Sequence, residues 1–212
     1  MDVSQYRVNG IPASAFYIPN FITDDEESHI LKQVYAVPKP KWTSLSNRRL
    51  QDYGGIPHEK GMIPERIPSW LQVYLNKIAE LQIFEQHKPN QVLVNEYLAG
   101  QGIMPHTDGP LFYPTISTIS CGSHTALEFV TNDESRKNVC NIFLEPRSLI
   151  IIKDELYSKY LHSISERKFD SINDCANKDF CQLYSCDQEL ERSTRISLTI
   201  RNVPKVLKIK LF

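Results

Sequence analysis

The chain reads as a mainly β protein of α+β type, with helices first and a double-sheet jelly-roll core after them. Three observations lead there. Helical periodicity is confined to the first 81 residues. From Gln91 onward the apolar pattern shortens to runs of four to ten residues punctuated by Gly, Pro, Asn and Asp. No helical pattern separates those runs, which is the signature of a sandwich or barrel rather than of parallel βαβ units.

The first helix starts after Thr23, with Glu26 three residues on in a capping-box arrangement. Ile30, Leu31, Val34 and Tyr35 recur at helical spacing, and Pro38 and Pro40 forbid continuation. Lys41 to Pro64 reads as a loop with Gly54-Gly55 and several prolines. A second helix begins near Ser69, where Trp70, Leu71, Tyr74, Leu75, Ile78 and Leu81 form one apolar stripe, a core-packing face. The expected strands are 91–98, 115–121, 125–131, 141–144, 148–153, 160–164 and 194–203. Between the last two lies Ser165–Arg192, a polar stretch too long for an ordinary connection, which reads as a lid or a disordered segment.

Composition excludes several classes. The 212 residues are 41% hydrophobic and 23% charged, with 24 Lys+Arg against 25 Asp+Glu. That is too apolar for a disordered chain and too balanced for one that coats nucleic acid by bulk charge. No apolar run reaches the roughly 20 residues of a membrane span. Residues 1–10 carry no secretory or import pattern. Five cysteines without paired spacing fit free thiols in a reducing compartment. The expectation is a monomer of cytoplasm and nucleus that does not engage membranes. Two local basic clusters stand out, Lys39, Lys41, Arg48 and Arg49, and Arg201, Lys205, Lys208 and Lys210. Either could be a solvated face.

His106-Thr107-Asp108 places an imidazole and a carboxylate two residues apart, on one side of an extended backbone. His162, on a later strand, can complete a two-histidine, one-carboxylate set with open positions, as in non-haem Fe(II) oxygenases. The same donors can hold Zn²⁺ for hydrolysis. His29, His58, His87 and His124 have no comparable partner.

In Arg195-Ile196-Ser197-Leu198-Thr199-Ile200-Arg201, alternation puts Arg195, Ser197, Thr199 and Arg201 on one face and the aliphatic residues on the other. The strand spans about 20 Å, and arginines of about 6–7 Å leaning inward from both ends leave a gap suited to a small diacid. An outer face with surface arginines is the alternative. In 91–98, Leu93, Asn95 and Tyr97 share a face opposite Val92 and Val94, so Asn95 and Tyr97 can complete the hydrogen bonding of a buried carboxylate.

With these residues in hand the sequence resembles the AlkB family of Fe(II)- and 2-oxoglutarate-dependent dioxygenases. The order Asn95-x-Tyr97, His106-x-Asp108, His162, Arg195-x-Ser197-x-Thr199-x-Arg201 is that family's order. The run from Gly102 to Ser120, with Gly122-Ser123-His124-Thr125, Leu144–Leu149 and Pro38–Trp42, is most similar to the branch of the sixth homologue. The resemblance covers about 17–208. It implies a double-stranded β-helix, with His106, Asp108 and His162 as catalytic iron ligands. Arg195, assisted by Tyr97, would pair with the distal carboxylate of 2-oxoglutarate. Asn95 and Arg201 would hold its iron-chelating end, with Ser197 standing where the family usually has Asn. The implied reaction consumes O₂ and 2-oxoglutarate, releases succinate and CO₂, and hydroxylates a substrate carbon. An N-methyl group so treated leaves as formaldehyde.

The resemblance also implies a domain plan. Residues 1–212 would form one dioxygenase domain, with the helix and a nucleotide-recognition lid in 1–64, a supporting helix in 65–90, and the jelly roll in 91–204 carrying the insert 165–192. Lys41, Trp42, Arg49, Gln51 and Tyr53 would contact a nucleic acid substrate, DNA or RNA, with Arg49 on a phosphate and the aromatic rings stacking on an unpaired base. Pro110 occupies the place of the acidic residue that reads the damaged base in the bacterial prototype. Two other functions stay open at this point: a dioxygenase acting on protein or a small molecule, and a nucleic-acid-binding module with a vestigial site.

Overall fold

The computed structural model describes residues 1–12 and 14–208. In chain order the elements are β1 (Ala15–Ile18), α1 (Asp24–Ala36), β2 (Thr43–Leu45), β3 (Arg48–Tyr53), α2 (Ser69–Ala79), β4 (Gln91–Tyr97) and β5 (Ile103–His106). They continue with β6 (Thr115–Cys121), β7 (Thr125–Thr131), β8 (Asn138–Leu144), β9 (Leu149–Lys153), α3 (Asp154–Ser158), β10 (Tyr160–Ile164), β11 (Phe169–Asp170), β12 (Leu190–Glu191) and β13 (Arg195–Arg201).

A seven-stranded sheet runs β1-β9-β6-β13-β4-β3-β2 and faces a four-stranded sheet, β5-β10-β7-β8. Neighbouring strands in both are antiparallel, and the pair is the expected jelly roll. Strand alternation splits the apolar residues of the larger sheet between its faces. Leu149, Ile151, Val92, Val94, Ile196, Leu198 and Ile200 turn outward under α1 and α2, meeting Ile30, Val34, Leu71, Tyr74, Leu75 and Ile78. Ile150 and Ile152 turn inward and meet Leu127, Phe129, Ile142 and Leu144 of the smaller sheet.

α1 starts and stops where the residues require. The Thr23 hydroxyl accepts from the Glu26 amide while the Glu26 carboxylate accepts from the Thr23 amide. Val37, extended ahead of Pro38, ends α1.

Two expectations about the connections are corrected. Residues 41–64 are not all loop, because β2 and β3 form a hairpin that adds to the edge of the larger sheet through β4. Nor is 165–192 disordered or a lid. It folds across the outside of the smaller sheet, where Phe143, Ile172, Cys175 and Leu190 make a separate buried cluster. The Asn177 amide exchanges two hydrogen bonds with the Phe143 backbone, at 2.8 Å each, substituting for a neighbouring strand. Arg192 closes the segment by gripping buried Asp170 through two nitrogens at 2.6 and 2.7 Å. The Cys175 thiol bonds to the Ser171 carbonyl and is pushed up to about 12 by burial, so it stays protonated.

Candidate active site

The space between the sheets opens into a cavity of about 260 Å³ lined by residues of both. β10 pairs antiparallel with β5 in a register that sets His162 directly opposite His106. The two rings sit 4.3 Å apart between centroids. Asp108 follows on the loop leaving β5, and one ligand atom from each of the three residues lies within 4.8 Å of the others. The His106 Nδ1 is engaged with the Met104 carbonyl at 2.8 Å, which leaves Nε2 free for a metal. Burial pushes His162 down to about 4, so the ring is neutral, the form that ligates. Asp108 divides its work. Oδ1 accepts from Arg201 Nη1 at 3.1 Å, while Oδ2 is buried with no hydrogen-bond partner. An unpartnered buried carboxylate oxygen beside two imidazoles, one of them held neutral by burial, is a donor set that fits a divalent cation.

β13 crosses the cavity as its alternation predicts: Arg195, Ser197, Thr199 and Arg201 line it, and so do Leu93, Asn95 and Tyr97 of β4. Register places Arg195 opposite Tyr97 and Ser197 opposite Asn95. Arg195 is 4% exposed, donates from Nη2 to the Ser120 hydroxyl at 2.9 Å, and has no partner for Nε. Burial lowers it to about 10, which still leaves it charged at neutral pH. A buried cation with a free donor facing a cavity calls for a carboxylate ligand. At the other end, the Arg201 guanidinium lies 4.1 Å from the Phe112 ring and bonds to Gln91. The two arginines face inward, so the surface-arginine alternative is set aside. The cavity thus fits a small diacid between Arg195 and the His106–Asp108–His162 end.

The hairpin residues divide sharply. β3 pairs with β4 so that Arg49 opposes Glu96 and Gln51 opposes Val94, which turns the odd-numbered side chains toward the helices. Gln51, named from sequence as a substrate contact, is fully buried, donating to the Val34 carbonyl at 3.0 Å and accepting from Tyr53 OH at 2.7 Å. Tyr53 is 6% exposed and packs edge-on against Trp70. Neither can reach a ligand in the cavity, and both expectations are corrected. Arg49 is no free phosphate contact either. Its guanidinium grips Glu96 through two nitrogens, at 2.6 and 2.9 Å, and lies 4.0 Å from the Trp42 ring. Lys41 donates to the Asp52 carbonyl and sits over the Tyr53 ring. Trp42 keeps partial exposure beside Tyr35.

Arg48, which the sequence shows as part of a basic cluster without assigning it to the site, belongs to the site. It faces the other way, lines the cavity, and donates from Nε to Asn95 Oδ1 at 3.2 Å. The register of β3 on β4 was the missing signal. Of the C-terminal basic cluster, Arg201 points inward, Lys205 bonds to the Glu59 carbonyl, and Lys208 is exposed. Lys210 lies outside the described residues. Pro110 is exposed in a turn.

Comparison with known proteins agrees with this geometry. Residues 33–201 match the model of the 2OG-Fe(II) oxygenase superfamily. The chain is 43% identical over 222 residues to a zebrafish (Danio rerio) protein named "Probable RNA/DNA demethylase ALKBH6", covering all of this chain and 95% of that one. The solved structure of OsALKBH1 superposes with a TM-score of 0.60 at 15% identity, over 89% of this chain and 97% of the other. A Pseudomonas putida prolyl-4-hydroxylase does so with a TM-score of 0.56 at 10% identity, over 92% and 93%. These two likenesses speak for the fold alone. The chain therefore belongs to the AlkB group of the 2OG-Fe(II) oxygenase superfamily and is a dioxygenase that uses Fe(II), 2-oxoglutarate and O₂.

Proposed function

We propose that the chain removes alkyl groups from nucleic acid by oxidative demethylation, with DNA or RNA as the partner that enters the cavity from the β2–β3 hairpin side. The observation that carries this reading is Arg48. It brings a positive charge from the hairpin to the cavity, and among the described residues nothing acidic pairs with it; its hydrogen-bond partner is the Asn95 amide. A cation so placed can hold a phosphate and leave the base to enter the cavity. The zebrafish relative's name points the same way.

His106, Asp108 and His162 would hold the iron. Arg195 and Tyr97 would fix the distal carboxylate of 2-oxoglutarate, and Asn95, Ser197 and Arg201 would orient its other end. When bound, iron, 2-oxoglutarate and O₂ supply the oxidation that hydroxylates an N-methyl carbon, after which formaldehyde leaves. The protein's own task is to hold the His162 imidazole neutral, keep Asp108 turned by Arg201, and exclude water with Leu127, Ile150 and Ile152.

We read residues 1–212 as one domain, because β3 of the N-terminal part is hydrogen-bonded to β4 of the jelly roll. Cytoplasm and nucleus, where such substrates occur, and action as a monomer belong to the same reading. No helix among the described residues is long and apolar enough to cross a membrane.

The test is succinate release on single-stranded oligonucleotides with and without N-methylated bases, together with formaldehyde. Methyl-dependent release of both in equal amounts is the expected result, with affinity falling as salt rises. Release stimulated by methylated peptides and not by any oligonucleotide would favour a protein substrate and overturn the assignment.

A further inference from the structure

The metal-ligand carboxylate rides on a loop with few fastenings. Among the described residues, two side-chain hydrogen bonds hold segment 107–112. One is the bond from Arg201 to Asp108. The other runs from the Tyr157 hydroxyl to the Gly109 carbonyl, at 2.7 Å. The next loop backbone bond comes only at Tyr113, whose amide donates to the Asn202 carbonyl. Gly109 has a φ of +87°, and a Cβ there would meet nothing within 4 Å, so packing does not confine the turn. Without the tyrosine, the peptide joining Gly109 to Pro110 would be free to rotate about the permissive Gly109 backbone, and the Asp108 turn with it.

Tyr157 is well placed to confine it. It sits on α3, whose Leu156 is fully buried in the inner core, and α3 leads straight into β10 and His162. A single hydroxyl therefore ties the loop of one ligand to the connection that delivers another. We propose that Tyr157 is a positioning residue for the metal centre: by holding the Gly109 carbonyl it fixes Asp108 relative to His162. The inference rests on His106, Asp108 and His162 being the metal ligands.

Mn(II) binding to the full chain, followed by the electron paramagnetic resonance of the free ion, tests it without turnover. His106→Ala should abolish binding at the site; wild type and His106→Ala binding alike would sink the ligand assignment itself. Tyr157→Phe should weaken Mn(II) by about tenfold, the lower end of what outer-shell partners of metal ligands contribute. Ser158→Ala is the control on the same helix, since its hydroxyl bonds only to the Asp154 carbonyl; it should bind like wild type. The urea midpoint of the metal-free chain should stay close to wild type in Tyr157→Phe, so that the loss of Mn(II) is local; a large drop in midpoint that accounts for the lost affinity would overturn the positioning role. An affinity within twofold of wild type, or an equal loss in Ser158→Ala, would overturn the proposal.

Discussion

β4 and β3 lie side by side in one sheet and both carry polar residues at alternate positions, yet they serve the site in different ways. β4 presents Leu93, Asn95 and Tyr97 to the cavity and Val92 and Val94 to the helices, so its two faces differ in chemistry. β3 reads Arg-Arg-Leu-Gln-Asp-Tyr, polar on both faces. Its helix-facing side spends Arg49, Gln51 and Tyr53 on internal bonds, and its cavity side offers Arg48. In the proposed reading, the co-substrate half of the site is thus built on strands whose face is set by hydrophobicity, and the substrate half on the hairpin, where the face of β3 is set only by pairing.

Several substitutions would break or sharpen that contrast. The largest effect should come from Arg195→Met, which removes the buried cation facing the diacid space. Losing one partner of a buried charge pair costs about 2–5 kcal/mol, so 2-oxoglutarate affinity should fall by about 30- to 4,000-fold. Isothermal titration of the Mn(II)-loaded protein measures it. Gln51→Ala should destabilise the fold by about 2–3 kcal/mol, since the Val34 carbonyl and the Tyr53 hydroxyl lose a buried partner. Urea unfolding reads that loss, and 2-oxoglutarate affinity should stay unchanged; a selective loss of oligonucleotide binding would return Gln51 to the substrate side. Arg48→Ala should weaken oligonucleotide binding by up to about tenfold and lower the log–log salt slope by about one.

The smallest effect concerns His124, buried against Phe143 and lowered by desolvation more than Asp170 raises it. Its folded form stays neutral while the unfolded chain takes a proton, so its contribution to stability is full above the ordinary histidine range and declines as pH falls through it. His124→Gln should flatten the fall in urea midpoint between pH 7.5 and 5.5.

How far the sequence reveals this molecule follows the same physics. Thr23 with Glu26, the prolines after α1, and the aliphatic alternation of β13 are local signals, and each element stands within a residue or two of its expected bounds. His106, Asp108 and His162 were legible from residue type, the two-residue spacing and the family resemblance, although 103–106 reads as loop in the sequence and folds as β5, with Asp108 beyond its end. The hairpin was not, since three- and six-residue strands that are polar on both faces carry no period to read. The fold of 165–192 was hidden for another reason. Its order comes from Asp170 with Arg192 and from Asn177 on Phe143, pairs 22 and 34 residues apart. Cys175, buried, and Cys181, partly buried, serve there as small side chains bonded to nearby carbonyls.

The most direct test of the division between the two halves is the anaerobic charge-transfer absorption of Fe(II) with 2-oxoglutarate, recorded on wild type, Arg195→Met and Arg48→Ala. The band should be present in wild type, lost at matched 2-oxoglutarate in Arg195→Met, and retained in Arg48→Ala, whose defect should emerge only when a methylated oligonucleotide is added. Loss of the band in Arg48→Ala, with Arg195→Met unaffected, would contradict the account and place the co-substrate under the hairpin.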